Sequence, residues 1–487
     1  MPPDKDQGGL VSSSYSPNPR KPTFRNILQA FGCQEGLPFA DVLSEQDILQ
    51  ACQQHGCVFA TKTNHIYNPP LVLWAFLSQC LDASKTCSAA VARVLAFRAT
   101  LLLPISSADT AAYCKARARL PVPLIRSLTR TVGERLEDQA LPAWRWKGRR
   151  AVLVDGTTLS GPDTQANQAK YPQSSQQKKG LGFPLIRLVV LIALATGGIL
   201  DAGLAACSGK QTGELALLQQ MFQSLRAGDV LIGDRYYGSY AMMALLQARG
   251  IDSCSRLHAS RPSAASAGQR LGRGDYLVEW SRPKVRPNWM DPQEYAKLPP
   301  TLSIREVHVK ISVKGFRPEQ VIVVTTLLDP QKYSYGEIAK LYRQRWNVEL
   351  KIRSIKQSLK MDILRGKTPE MMEREVWGHL LVYNLARQAQ AQAAQAAGCL
   401  PIQLSFTAAL DQLRAGYALR SCSEAAVLEA LRVVLRTALG QRRVGNRPDR
   451  VEPRRLKRRP KDCKWLTKTR QQARADLQAG QKEPKTK

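Results

Sequence analysis

The sequence predicts an α/β chain: a mixed sheet with a β-rich insertion, preceded by a helical domain and followed by helices and a basic tail. Three observations carry this. Residues 150–155 and 229–234 are short apolar runs, each ending in an acid, set among helical stretches. Residues 24–143 keep a helical texture throughout. After residue 329, no Gly or Pro interrupts the stretch from Glu337 to Arg365, which reads as one helix.

The helical part comes first. An Ser44-Glu-Gln-Asp start resembling a capping box opens a helix to residue 54, and further helices are expected over 71–81, 89–103, 111–118 and 123–136. Arg93, Arg98, Lys115, Arg117, Arg119, Arg126 and Arg130 are spread through them, so residues 24–143 are expected to form a DNA-binding domain; an ordinary basic bundle would have the same texture. At Trp144 the pattern changes. A buried strand should end at Asp155, a hairpin through Thr196-Gly-Gly should join 185–194 to 199–206, and a helix over 214–225 should lead to a second strand ending at Asp234. A helix (240–248) and a strand (251–257) follow. If the two acid-tipped strands are parallel neighbours, both carboxylates emerge at one sheet edge, where open α/β sheets place their sites. Residues 259–329 read as the β-rich insertion, with strands near 276–280, 305–313 and 320–328; the mixed-sheet unit then comprises 144–258 and 330–400. A long helix over 371–397 and further helix over 405–439 precede a basic tail from 441, which contains Arg454-Arg-Leu-Lys-Arg-Arg459.

Composition narrows the function. The chain has 487 residues and a formal net charge of +32, which calls for a polyanionic partner, most simply DNA or RNA. A membrane surface is the rival, but the cations lie along the whole chain without a juxtamembrane cluster. Residues 1–23 are polar and expected to be disordered, with no apolar signal segment, and the apolar run 188–200 is too short to span a bilayer, so a cytoplasmic protein is expected. The eleven cysteines contain no CxxC pair; Cys52 and Cys57 around His55 fit no common zinc spacing.

Three carboxylates stand out: Asp155, Asp234 and Glu349. On a regular helix turning about 100° per residue, Tyr342, Arg345, Glu349 and Lys356 share one stripe, while Leu341, Val348, Ile352, Ile355 and Leu359 form the adjoining core stripe. A carboxylate flanked by cations suits a metal-bound phosphate, and clustered carboxylates suit a pair of Mg²⁺ ions about 3.5–4 Å apart that activate the nucleophile and stabilise the leaving oxygen. A solvated helix with i,i+4 ion pairs would show the same charges, an Asp after a strand often caps a turn, and Asp163 and Asp201 are rival acids.

The spacing Tyr342-x2-Arg345-x3-Glu349-x6-Lys356 resembles the YREK signature of DDE transposases of the bacterial insertion sequence family four. Asp155-Gly-Thr-Thr and Gly233-Asp234-Arg235 are similar to that family's two Asp motifs, and the resemblance covers residues 24–440. It implies a ribonuclease H-like catalytic domain, with Asp155, Asp234 and Glu349 as catalytic metal ligands for two Mg²⁺ ions (Mn²⁺ substituting). Tyr342, Arg345, Lys356 and Arg235 would contact DNA. It further implies double-stranded DNA as partner (terminal inverted repeats and target), a homodimer on that DNA, and a bacterial, nucleoid-associated protein that cleaves element ends and joins the 3′-hydroxyl to target. Some relatives hold a flipped base on a tryptophan of the insertion, for which Trp280 and Trp289 qualify by location. A nuclease without strand transfer, or an inactive DNA-binding homologue acting as a repressor, would share most of these features.

Overall fold

Burial on both faces of a nine-stranded sheet organises the chain. The computed structural model describes residues 43, 45–60, 65–100, 107–311, 319–420, 425–444 and 467–479. The expected disordered segment 1–23 and the run Arg454–Arg459 lie outside them. Helices α1 (Glu45–Gln54), α2 (Pro69–Leu81), α3 (Cys87–Thr100), α4 (Ala111–Arg117) and α5 (Val122–Asp138) come first, each close to its sequence expectation. Pro at the first turn of α2 and α5 and the Asn68 side chain, which accepts from Leu71 N at 3.0 Å, account for two of the starts.

The sheet then begins with β1 (Ala151–Ser160), followed by α6 (Gln165–Lys170), β2 (Leu185–Ala193), β3 (Ile199–Ala206), α7 (Glu214–Gln220), β4 (Val230–Ile232), α8 (Tyr240–Gln247) and β5 (Asp252–Arg256). β1 pairs antiparallel with β2 from Val152↔Ala193 to Ser160↔Leu185, and parallel with β4 from Ala151↔Val230 to Leu153↔Ile232. β4 in turn runs parallel to β5. This hairpin-then-crossover order is that of the expected ribonuclease H-like mixed sheet. One expectation needs correction: β1 does not end at Asp155 but continues to Ser160, because β2 still pairs with it after β4 has stopped.

Alternate residues of the central strands enter two cores. Leu153, Val190, Ile192 and Ile232 face one side, packed with α5 and the long helix α12 introduced below; Val152, Val154, Val189 and Leu231 face the other, packed with α7 and α8. Residues 259–329 supply β6 (Gln269–Gly272), β7 (Asp275–Ser281), a short α9 (Pro292–Ala296), β8 (Thr301–Ile311) and β9 (Glu319–Thr325). They extend the same sheet, in the order β3-β2-β1-β4-β5-β9-β8-β7-β6.

The stretch expected as one helix is not one regular helix. It consists of α10 (Tyr335–Arg343), α11 (Trp346–Arg353) and a π turn, Ser354–Ser358. Between α10 and α11 the backbone stays helical but tightens, with Gln344 N, Arg345 N, Asn347 N and Val348 N each bonded three residues back at 2.9–3.0 Å. The core stripe survives both irregularities: Leu341, Val348, Ile352, Ile355 and Leu359 are all buried.

Helix α12 (Pro369–Ala396) crosses the molecule, with α13 (Phe406–Arg420), α14 (Ala425–Gln441) and α15 (Arg470–Gln478) after it. It packs on α2, α5, α13 and α14. Its Asn384 is fully buried; Nδ2 donates to Thr129 O of α5 (3.0 Å) and Ile199 O of β3 (2.9 Å), and Oδ1 accepts from Ile199 N (2.7 Å). Gly133 of α5 has no room for a side chain there, since a Cβ would lie 1.9 Å from Ile199 O. Among the described residues, no helix is long and apolar enough to cross a membrane.

Candidate active site

Asp155 lies two residues beyond Leu153, the last β1 residue opposite β4, and Asp234 lies two beyond Ile232, where β4 ends. The short β4 therefore opens a crevice at its C-terminal end into which both acids lead. Asp155 Oδ1 accepts from Gly156 N (2.8 Å), and Asp234 Oδ1 accepts from Tyr236 N (2.7 Å). Burial pushes the Asp155 carboxyl up to about 6; the negative charges of Asp234 and Glu214 add to this, while the Gly156 amide and Arg345 oppose it.

Glu214 was not among the sequence candidates. It is the first residue of α7, and its carboxylate lies so close to β1 that a Cβ on Gly156 would sit 2.4 Å from Glu214 Oε1. The buried Tyr237 hydroxyl donates to Glu214 Oε2 (2.9 Å) and so fixes the carboxylate beside Asp155. An acid in the first turn of a helix is too common, for its interaction with the helix dipole, to mark a site in sequence.

The signature residues approach from α10 and α11. Ser334 and Glu337 form a capping box that sets the start of α10. Tyr342 is buried, which raises its hydroxyl pKa against the opposing influence of the nearby Arg345. Arg345, its side chain 14% exposed, pairs with Glu349 at 3.1 Å and lies over the exposed Trp346 ring at 4.9 Å. Lys356, on the π turn, donates to Thr157 Oγ1 (3.2 Å) and Thr158 O (3.0 Å), so its ammonium sits on β1 just past Asp155. Arg235 is exposed next to Asp234.

The structure thus brings Asp155, Asp234, Glu214 and Lys356 to one crevice. Glu349 is held by Arg345 and does not close a three-carboxylate cluster; among the described residues, no group of three or more His, Cys, Asp or Glu side chains is arranged to hold a metal ion. The donor chemistry at Asp155 and Asp234 nevertheless suits a hard divalent cation, which would relieve the repulsion that raises Asp155. The rival Asp201 is fully buried, bonded by Ser224 (3.0 Å) and near Arg126 (3.6 Å), which makes it structural. Asp163 serves Gln168 in its loop. Trp280 is 1% exposed, covered by Arg261 and bonded to Glu306 Oε1 (3.3 Å), and has no face for a base; Trp289 is only partly buried.

Comparison with known proteins finds similarity to transposases. Residues 146–385 match the family model of the transposase DDE domain. Transposase InsG of insertion sequence element IS4, from Escherichia coli (strain K12), is 27% identical over 399 residues, 80% of this chain and 85% of that protein. The Escherichia coli transposase of insertion sequence element IS421 is 35% identical over 60 residues, 12% of this chain and 16% of that protein. A solved piggyBac transposase synaptic complex with hairpin DNA aligns over 89% of both chains with a TM-score of 0.41 and 9% identity. Residues 146–385 thus resemble a transposase DDE domain, and the chain is similar to an insertion sequence transposase over most of its length.

Proposed function

We propose that the chain cuts the ends of its insertion sequence and joins the freed 3′-hydroxyls to target DNA, with Asp155, Asp234 and Glu349 as its catalytic carboxylates. The observation that carries this reading is the crevice at the end of β4: two acids on adjacent parallel strands, one with its carboxyl raised to about 6, with the Lys356 ammonium 3.0 Å from the backbone of the same strand. Bound Mg²⁺, or Mn²⁺ in its place, would supply activation of the attacking oxygen and charge stabilisation at the leaving oxygen.

The chain's own residues prepare that chemistry. Asp155 and Asp234 orient the attacking water; it bonds to phosphorus, the P–O3′ bond breaks, and the 3′ oxygen leaves as a hydroxyl. In the joining step that hydroxyl attacks the phosphorus of a target phosphodiester, the target's P–O3′ bond breaks, and the proton lost by the attacking hydroxyl ends on the departing 3′ oxygen by way of solvent. Arg345 exchanges Glu349 for a phosphate oxygen when DNA enters, which frees Glu349 for the site. Tyr342, buried, aligns Arg345 from below rather than touching DNA. Lys356 and Arg235 hold neighbouring phosphates, and the ring of Trp346, 54% exposed beside Arg345, offers a stacking face for a base near the cut. Residues 24–143 serve as the DNA-binding part, 144–258 with 330–400 as the catalytic part and 259–329 as its insertion. Two ends cut and joined together require at least two copies of the chain on the DNA.

The test uses a labelled duplex that carries the element's terminal repeat, with wild type and Asp234→Ala, in Mg²⁺ or EDTA. Cleavage that needs both Mg²⁺ and Asp234 and leaves a 3′-hydroxyl that joins to plasmid supports the transposase. Cleavage without joining from a pre-cut end identifies a nuclease, and tight binding without cleavage in any metal identifies an inactive DNA-binding homologue.

A further inference from the structure

A cavity of about 620 Å³ lies between α2, α4, the loop after the π turn and the start of α12. It is separate from the carboxylate crevice. The loop joins β1 at Ser160, whose N–H donates to Asp362 O (3.1 Å) and whose carbonyl accepts from Leu364 N (2.8 Å), five residues past Asp155. Along an extended strand that is roughly 17 Å.

Apolar groups such as Phe76 and Met371 wall the cavity, while Arg117, Arg365, Lys367 and Arg374 bring positive charge to it. Their hydrogen bonds go to neutral groups, although Glu370 and Glu373 lie near Arg374, and Glu375 near Arg117 and Lys85. Arg117 donates to Gln79 Oε1 (2.7 Å), Arg365 to Ser84 O (2.6 Å) and Arg374 to Leu120 O (2.5 Å), all neutral acceptors. Among the described residues, the buried Arg117 Nε has no partner. The one carboxylate in the lining, Glu375, is taken by the backbone N–H groups of Arg365 (2.7 Å) and Gly366 (3.0 Å). Outside it, Glu373 is paired with Lys170 at 2.6 Å.

Two further features add to the positive field. The 28-residue helix α12 begins at the cavity, with Thr368 as its cap and Pro369 at its first turn. Lys85, also in the lining, is buried with its ammonium on Leu359 O and against the His379 ring; burial lowers its pKa to about 8, opposed by Cys80 and Glu375, so it remains mostly charged at neutral pH. Several cations with neutral partners, apolar walls and a helix N-terminus form a concave site for a doubly or singly charged oxyanion.

We propose that this cavity binds a phosphate ester, which the Arg117, Arg365 and Lys367 heads grip from the N-terminal helices and the catalytic part at once. A backbone phosphodiester of bound DNA and the phosphate of a free nucleotide share that chemistry. The first source rests on the function proposed above; the second does not.

The full chain is melted in inorganic pyrophosphate or in chloride of equal ionic strength. Wild type is compared with Arg365→Gln/Lys367→Gln, both exposed positions, and with Lys178→Gln/Lys179→Gln, an exposed control pair remote from the lining. Duplex affinity is measured against salt for the same three proteins. Pyrophosphate should raise the melting temperature of wild type and the control by a few degrees and leave the cavity variant unmoved. A salt slope lower by about 1 in the cavity variant, the share of one phosphate, assigns the occupant to DNA. Lost pyrophosphate protection with an unchanged slope assigns it to a free nucleotide. Equal pyrophosphate protection, or none, in wild type and cavity variant, together with equal salt slopes, overturns the proposal. Neither substituted residue belongs to the carboxylate site, so this failure is distinct from a failure of the cleavage assay.

Discussion

Asp155→Asn should stabilise the metal-free protein while abolishing cleavage. The Asp155 carboxyl is raised from an ordinary 3.8 to about 6 by burial, reinforced by Asp234 and Glu214. A carboxyl raised in the folded state gives stability that is full below the unfolded value and lost as pH climbs through the folded one, so at pH 8 the wild type carries the whole penalty. At 1.36 kcal/mol per pKa unit, the shift corresponds to at most about 3 kcal/mol, and partial solvent screening reduces this to about 1–2 kcal/mol. Asparagine keeps the shape and removes the charge. In EDTA, melting of the two proteins between pH 5 and pH 8 should show the variant gaining by a few degrees at pH 8, with the gap narrowing toward pH 5 as wild-type Asp155 takes up its proton. A gap independent of pH, or a variant less stable at pH 8, would refute the claim that repulsion and burial raise Asp155.

Other perturbations read other parts of the site. Glu349→Ala should abolish nicking yet leave end binding within about threefold, measured by gel shift beside cleavage; loss of binding would make Glu349 a structural residue that anchors Arg345. Gly156→Ala should cost about 1–3 kcal/mol, because its Cβ would meet Glu214 Oε1 at 2.4 Å, and most of that should return in a Glu214→Ala background; equal losses in both backgrounds would remove Glu214 from the argument. Deletion after Arg443 should lower the salt slope of DNA binding, since it removes the basic run Arg454–Arg459; an unchanged slope means the tail does not touch DNA.

Much of this was legible in the chain. The apolar runs before Asp155 and Asp234 announced buried strands, and their parallel pairing follows from the hairpin and helix between them. The five-residue core stripe of the signature stretch also held, since apolar side chains seek burial whatever the exact turn. The tight turn at Gln344–Arg345 and the π turn at Ser354–Ser358 had no Gly or Pro to betray them; they arise where tertiary contacts, among them Lys356 reaching β1, outweigh local regularity. Glu214 was hidden because its nearness to Gly156 is a matter of how α7 meets β1, which no local spacing encodes. β6 lies in a Ser/Gly-rich stretch without β-branched residues and forms only by pairing with β7. The burial of Trp280 depends on Arg261 and Glu306, whose partnership is likewise set by the fold.

Asn384 has a bearing on inheritance as well as on packing. One amide ties α5, β3 and α12 together through Thr129 and Ile199, at a spot where Gly133 leaves the backbones in contact. A recombinant that exchanged the first 143 residues for those of a distant relative would have to bring a matching glycine, carbonyl and crossing angle, or strand a buried amide at a cost of about 1–3 kcal/mol. The two portions are thus poor candidates for shuffling, and their sequences are expected to drift together as one melting unit rather than as exchangeable cassettes.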